Sequence, residues 1–108
     1  MRRAHRTDGN QVAIIAALRA HGITVKDTSA VGAGFPDLVC GFRGGTYLIE
    51  TKGGGGHAHS ALLPGEHDYT AAQRVFHRSW AGDIGTVTNP EEAVRWVIDT
   101  ATVEGRLK

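Results

Sequence analysis

The chain holds one cysteine, Cys40, one methionine and three prolines. A lone cysteine excludes an internal disulfide and any zinc site built on several thiolates. No apolar run approaches the roughly 20 residues of a membrane span. Nor does either sign of charge dominate: 12 Lys and Arg against 11 Asp and Glu leave a formal net charge of +1. Composition therefore does not announce a nucleic-acid partner, and any such reading must rest on local features. The stretch Met1-Arg2-Arg3-Ala4-His5-Arg6 has no apolar segment of the signal-peptide kind behind it, so a cytoplasmic protein is expected. Glycine stands out instead, with 15 of 108 residues, about twice its average share. The apolar share of 41% and charged share of 21% are those of a globular protein. A length of 108 residues is one domain. Such a chain buries between about 60% and 70% of its unfolded surface, so a partner subunit would help to stabilise it.

Local patterns order the chain as helix, strand, strand, strand, long loop, helix, strand, helix. Ile14, Ile15 and Leu18 predict a helix over 9–21, with Asp8 as N-cap and Gly22 as the stop. Residues 23–28 and 37–42 read as strands. Arg43-Gly44-Gly45-Thr46 reads as a turn with a two-glycine centre, and 46–52 as the return strand. Residues 53–69 contain four consecutive glycines and form a loop of a length that is usually functional or disordered. Thr70-Ala71-Ala72-Gln73 matches a capping box opening a helix to about Ala81. A strand over 84–88 follows. Asn89-Pro90-Glu91-Glu92 then starts a last helix with Ala93, Val94, Val97, Ile98 and Ala101 on its buried stripe.

The hairpin places three charged residues together. With Gly44-Gly45 as the loop, Phe42 pairs with Tyr47, Cys40 with Ile49, Val39 with Glu50 and Asp37 with Lys52. Alternation then puts Asp37, Glu50 and Lys52 on one face at one end of the hairpin. Asp37 and Glu50 become diagonal neighbours, with Cα atoms roughly 7–8 Å apart. Two converging carboxylates repel, and a divalent cation resolves the repulsion. Oxygen ligands of this kind suit Mg²⁺ or Mn²⁺, which take one or two carboxylates plus substrate phosphate. Such an ion polarises a phosphodiester and activates bound water, and Lys52 stands where it can orient that water or offset charge on the phosphate. The plainer alternative is a surface salt bridge to Lys52. Against it, the residues lie at strand ends beside a loop, where sites are expected.

Gly34-Phe35-Pro36-Asp37-Leu38-Val39, Tyr47-Leu48-Ile49-Glu50-Thr51-Lys52 and Thr70-Ala71-Ala72-Gln73 together resemble the PD-(D/E)xK nuclease superfamily. Within it, the likeness is to the virus-type replication-repair nuclease group, VRR-NUC, and runs from about Gln11 to Val97. The resemblance implies an α/β fold of the restriction-endonuclease type, with a mixed central sheet flanked by helices. It implies Asp37, Glu50 and the carbonyl of Thr51 as ligands of Mg²⁺ or Mn²⁺, Lys52 as the catalytic lysine and Gln73 as a further active-site residue. The family also tends to place an acid on the first helix. Here residues 10–15 contain none, and Gln11 is the nearest polar substitute. The implied activity is metal-dependent hydrolysis of DNA, on the pattern of small phage Holliday junction resolvases acting in a bacterial or phage-infected host cell. A flap or end-processing nuclease, or a non-catalytic DNA-binding or structural protein keeping the fold, is the alternative.

Gln73 has a second reading, as the residue that closes the capping box on Thr70. Arg43, Arg74 and Arg78, with the basic arm over residues 1–7, are candidate phosphate contacts. His77, one turn after Gln73, reads as a packing or phosphate-contacting residue. His57, His59 and His67 have irregular spacing for a metal site and read as a solvated loop near DNA. Cys40, Trp80 and Trp96 read as core. Resolving a junction takes two opposed cuts, so a homodimer is expected, with the first helix, apolar on more than one face between Val12 and Leu18, as its candidate interface.

Overall fold

A computed structural model of the chain describes residues 9–53 and 69–107. The basic arm, Asp8 and loop residues 54–68, with His57, His59 and His67, lie outside the described residues. The described residues form α1 (Gly9–Ala20), β1 (Thr24–Asp27), β2 (Leu38–Phe42), β3 (Gly45–Thr51), α2 (Ala71–Ser79), β4 (Ile84–Val87) and α3 (Pro90–Val103). The strands make one sheet in the order β1-β2-β3-β4. The first two pairings are antiparallel and β3 with β4 is parallel. The protein is thus α/β with a mixed four-stranded sheet, and no helix among the described residues is long and apolar enough to cross a membrane.

The core lies on one face of the sheet. Leu38 and Cys40 of β2, Tyr47 and Ile49 of β3 and Val87 of β4 point to it. Over them pack Ile14 and Leu18 of α1 and Ala93, Val97 and Ala101 of α3. At Gly85 α3 packs close: a Cβ there would sit 2.5 Å from the Trp96 ring. Trp96 also meets Tyr47 edge to face at 6.1 Å, so its expected place against the core holds. α1 ends as the sequence predicts. Gly22 takes φ +78, its N–H bonds to the Arg19 carbonyl, and the Ile23 N–H bonds back to Leu18. α3 begins on Asn89, whose side chain accepts from the Glu92 N–H, with Pro90 in the first turn.

The hairpin register corrects the expectation. Leu38 pairs with Ile49, Cys40 with Tyr47 and Phe42 with Gly45, two residues away from the pairing read off the sequence. The turn is Arg43-Gly44, at φ +52 and +83, and not Gly44-Gly45. Both central residues are left-handed, as a tight hairpin turn requires, and Arg43 bears the strain that a glycine would have avoided. Gly45 is needed elsewhere: a Cβ on it would collide with the Tyr47 hydroxyl. A shift of two preserves every side-chain face. Asp37 and Glu50 therefore remain together, and continuing the register sets them directly opposite rather than diagonal.

Helix α2 lies on the other face and buries no residue fully. It stops at Ser79, short of the expected Ala81, because Trp80 turns extended at ψ 124. Trp80 is 41% exposed, which corrects its reading as core.

Candidate active site

The site gathers at the ends of β2 and β3 away from the turn. Asp37 is delivered by the loop before β2. Thr28 secures that loop, its N–H bonding to the Asp37 carbonyl at 2.7 Å and its hydroxyl to the Pro36 carbonyl at 2.8 Å. Gly34 sits at φ +84 with the backbone of Ala72 in α2 where a Cβ would be, so only glycine lets loop and helix touch here. Phe35 then packs edge-on against Phe76 at 5.3 Å. The Gly-Phe-Pro-Asp run is in this way a mechanical link: glycine and phenylalanine dock α2, and the aspartate enters the site.

Asp37 Oδ2 accepts from both the Thr51 N–H and the Thr51 hydroxyl, each at 2.9 Å. In an extended strand the N–H and C=O of one residue point the same way, so the Thr51 carbonyl faces the Asp37 side. Glu50 is 2% exposed. Its Oε2 accepts from Gln73 Nε2 at 2.8 Å and lies 4.0 Å from Lys52 Nζ. Its Oε1 is buried without a hydrogen-bond partner. Burial first, then the charge of Asp37, push the Glu50 carboxyl up to about 8, with Lys52 only partly opposing them. Two ionised carboxylates are acceptors only, so a bond between Glu50 and Asp37 forms only when one is protonated.

Gln73 closes the capping box and also reaches Lys52 and Glu50. Its Oε1 accepts from the Thr70 N–H at 2.9 Å and from Lys52 Nζ at 3.1 Å, while the Gln73 N–H donates to the Thr70 hydroxyl. The capping box and the bridge between Glu50 and Lys52 are one side chain. Gln11 reaches the site from the core face. Buried on α1, it accepts from the Thr51 hydroxyl at 3.1 Å and donates to Asp27 Oδ2 at 3.4 Å. Through the Thr51 hydroxyl it touches a partner of Asp37.

Four contributors escape a sequence reading. Tyr69 lies with its ring 5.4 Å from Lys52 Nζ and its hydroxyl 2.6 Å from the Thr86 hydroxyl. Thr86 pairs with Glu50 across the parallel strands, and so shares its face. Asn10 ties the start of α1 to the carbonyls of Lys52 and Thr88 at 3.2 and 2.9 Å. Asp27 holds Gln11. Only the pairing of distant strands brings these together, and no spacing in the sequence signals it. His77 packs its ring 4.8 Å from Tyr69, and its Nε2 is buried without a hydrogen-bond partner. Burial, with Lys52 nearby, holds its pKa below the ordinary histidine value.

The basic candidates divide. Arg74 and Arg78 stand exposed on α2 beside the site. Arg43 occupies the hairpin tip with its guanidinium 5.7 Å over the Phe42 ring, about 20 Å of strand from Glu50. The structure therefore does not bring Arg43 to this site.

Among the described residues, no group of three or more His, Cys, Asp and Glu is placed to hold a metal ion. A divalent ion here would be held by Asp37, Glu50 and the Thr51 carbonyl, with water in the remaining positions. The donor set fits: hard oxygens, two adjacent carboxylates and a buried Glu50 oxygen lacking a donor. No family model matches the chain, and no curated protein or solved structure matches it either.

Proposed function

We propose that the chain is an Mg²⁺- or Mn²⁺-dependent deoxyribonuclease with a restriction-endonuclease-like core, acting on branched DNA as a homodimeric junction resolvase of the VRR-NUC type. The observation that carries the reading is the pairing of Asp37 with a buried, under-neutralised Glu50, bridged through Gln73 to Lys52. Asp37, Glu50 and the Thr51 carbonyl would hold the cation, which when bound would supply Lewis-acid chemistry at a phosphodiester. The chain's own groups do the remainder. Thr51 holds Asp37 in place from its backbone and its hydroxyl. Gln73 holds Lys52 Nζ and Glu50 Oε2 on either side of one amide. Lys52, 22% exposed at its side chain, keeps its ammonium at the mouth of the site. There it offsets charge on the attacked phosphate or orients the attacking water.

Gln11 gives the second reading its specific support. An amide stands where the family tends to place an acid, so a DNA-binding protein that keeps the fold without the chemistry is the competitor. One assay separates them. A labelled four-way junction, flap, splayed arm and duplex are incubated with Mg²⁺, Mn²⁺ or chelator. Metal-dependent paired nicks in the junction support the resolvase. Cleavage of the flap alone supports end processing. Binding without cleavage in either metal overturns the nuclease reading. Sedimentation of the protein free and on the junction tests the dimer, and a monomer in both states removes the resolvase.

A further inference from the structure

Trp80 is the one aromatic among the large apolar side chains left exposed in the described residues, at 41%. The indole is nevertheless well braced. One face stacks on Phe76 at 5.4 Å and 16°. Its Nε1 edge lies over Gly82, where a Cβ would come within 2.9 Å. Phe76 in turn meets Phe35, in the loop that delivers Asp37. An aromatic column thus runs from that loop to an open indole.

Helical spacing fixes where the column points. Gln73, His77 and the C-cap residue Trp80, whose N–H still bonds to the Phe76 carbonyl, fall at i, i+4 and i+7, on one stripe that runs to the end of α2. Trp80 lies about 10 Å along the axis from Gln73, roughly three nucleotides of a stacked strand. Arg74 and Arg78 are exposed next to this stripe, and α2 contains no acidic residue. A second copy docked on Trp80 about a two-fold axis would bring Arg78 towards its own counterpart. A polyanion with a flat π-face meets no such repulsion.

Resting on the nucleic-acid reading above, we propose that Trp80, stacked on Phe76, is the platform for an unpaired nucleobase of the strand that enters the Asp37–Glu50 site. Arg74 and Arg78 take that strand's phosphates. Unpaired bases beside the cut, as at a flap or where the pairs next to a junction crossover have opened, are then what the protein recognises, because a base still paired within a duplex has both faces covered by its neighbours. Stacking of this kind tolerates any base.

Binding of a fluorescein-labelled twelve-nucleotide dT strand, an abasic strand of equal length and a blunt duplex, measured by anisotropy in chelator, tests the proposal. Trp80→Ala is expected to weaken dT binding roughly 5- to 100-fold and to leave abasic strand and duplex within about twofold. Trp80→Phe should recover most of the loss. Indole emission should be quenched by dT and not by the abasic strand, and Trp80→Phe should remove that quenching. Equal weakening of all three ligands, or equal quenching by dT and abasic strand, overturns the platform. So does emission that follows protein concentration instead of oligonucleotide, which assigns the face to a second copy. Cleavage keeps the two readings apart. Stacking without metal-dependent cleavage defeats the nuclease alone, and unchanged branch preference in an active Trp80→Ala defeats the platform alone.

Discussion

Two carboxylate pairs sit near opposite ends of β3, and the protein treats them in opposite ways. Near its start, Glu104 interacts with the Asp83 carboxyl, whose pKa is raised so that it keeps its proton more readily, and takes hydrogen bonds from Arg106 Nε and the Tyr47 hydroxyl, each at 2.8 Å. These hold the Glu104 carboxyl down at about 2. Near its end, Glu50 faces Asp37 with an ammonium only at 4.0 Å and is pushed up to about 8. The structural pair receives a guanidinium and a hydroxyl from its own chain. The other pair is left short of positive charge, with Lys52 partly exposed beside it. That shortfall, more than the presence of two acids, marks the site.

The largest effect that can break this contrast is catalytic. Lys52→Ala should lower single-turnover cleavage at least about 100-fold with DNA affinity kept within a few-fold. Arg106→Ala, at the other pair, should leave the rate nearly unchanged. Wild-type cleavage by Lys52→Ala would end the assignment.

Metal linkage comes next. Mn²⁺ should raise the melting temperature of the wild type and of Glu104→Gln, since a ligand that binds only the folded state stabilises it. Asp37→Asn and Glu50→Gln should lose that rise. Retention of the full rise in either would move the cation elsewhere.

The two pairs should also tilt stability in opposite directions with pH. Glu50 has a raised folded pKa, so its contribution is whole below its ordinary 4.5 and is lost as pH climbs through about 8. Glu104 has a lowered one, so its contribution is whole above 4.5 and is lost as pH falls towards about 2. In chelator, Glu50→Gln should flatten the alkaline limb of a melting-temperature profile and Glu104→Gln the acid limb. The same limb flattened by both would refute the contrast.

Two glycines give a smaller test. Gly34→Ala meets the Ala72 backbone from a left-handed φ, and Gly45→Ala meets the Tyr47 hydroxyl. Each should cost about 1–3 kcal/mol. Only Gly34→Ala should also slow cleavage, because only it displaces α2. Smallest of all, Arg43→Ala should leave cleavage unaltered, being remote from the site.

The shared face of Asp37, Glu50 and Lys52 was legible because alternation survives any even shift of register. The register itself was not. A Gly-Gly pair invites a turn at its centre, and nothing local shows that Gly45 must clear a tyrosine hydroxyl while Arg43 takes the strained position. Caps were legible at Gly22, Thr70 and Asn89, since each depends on a few adjacent residues. Trp80 was misread for the complementary reason: helical spacing says which residues share a stripe and is silent on whether anything covers it. Tyr69, Thr86, Asn10 and Asp27 join the site through strand order, a property of the whole chain. The activity, the metal and the DNA partner rest on resemblance and chemistry.

The double bond-making of Gln73 has a thermodynamic consequence. The amide that starts α2 is also the amide that holds Lys52 to Glu50, so the first turn of the helix cannot fray without parting the two. α2 is nine residues long and buries none of them fully, which sets it among the segments that open before the rest of a protein does. On the nuclease proposal, competence is therefore governed by a local equilibrium. On warming, the fraction of molecules able to react should decline while the sheet is still intact, and amide exchange in α2 should report that fraction directly.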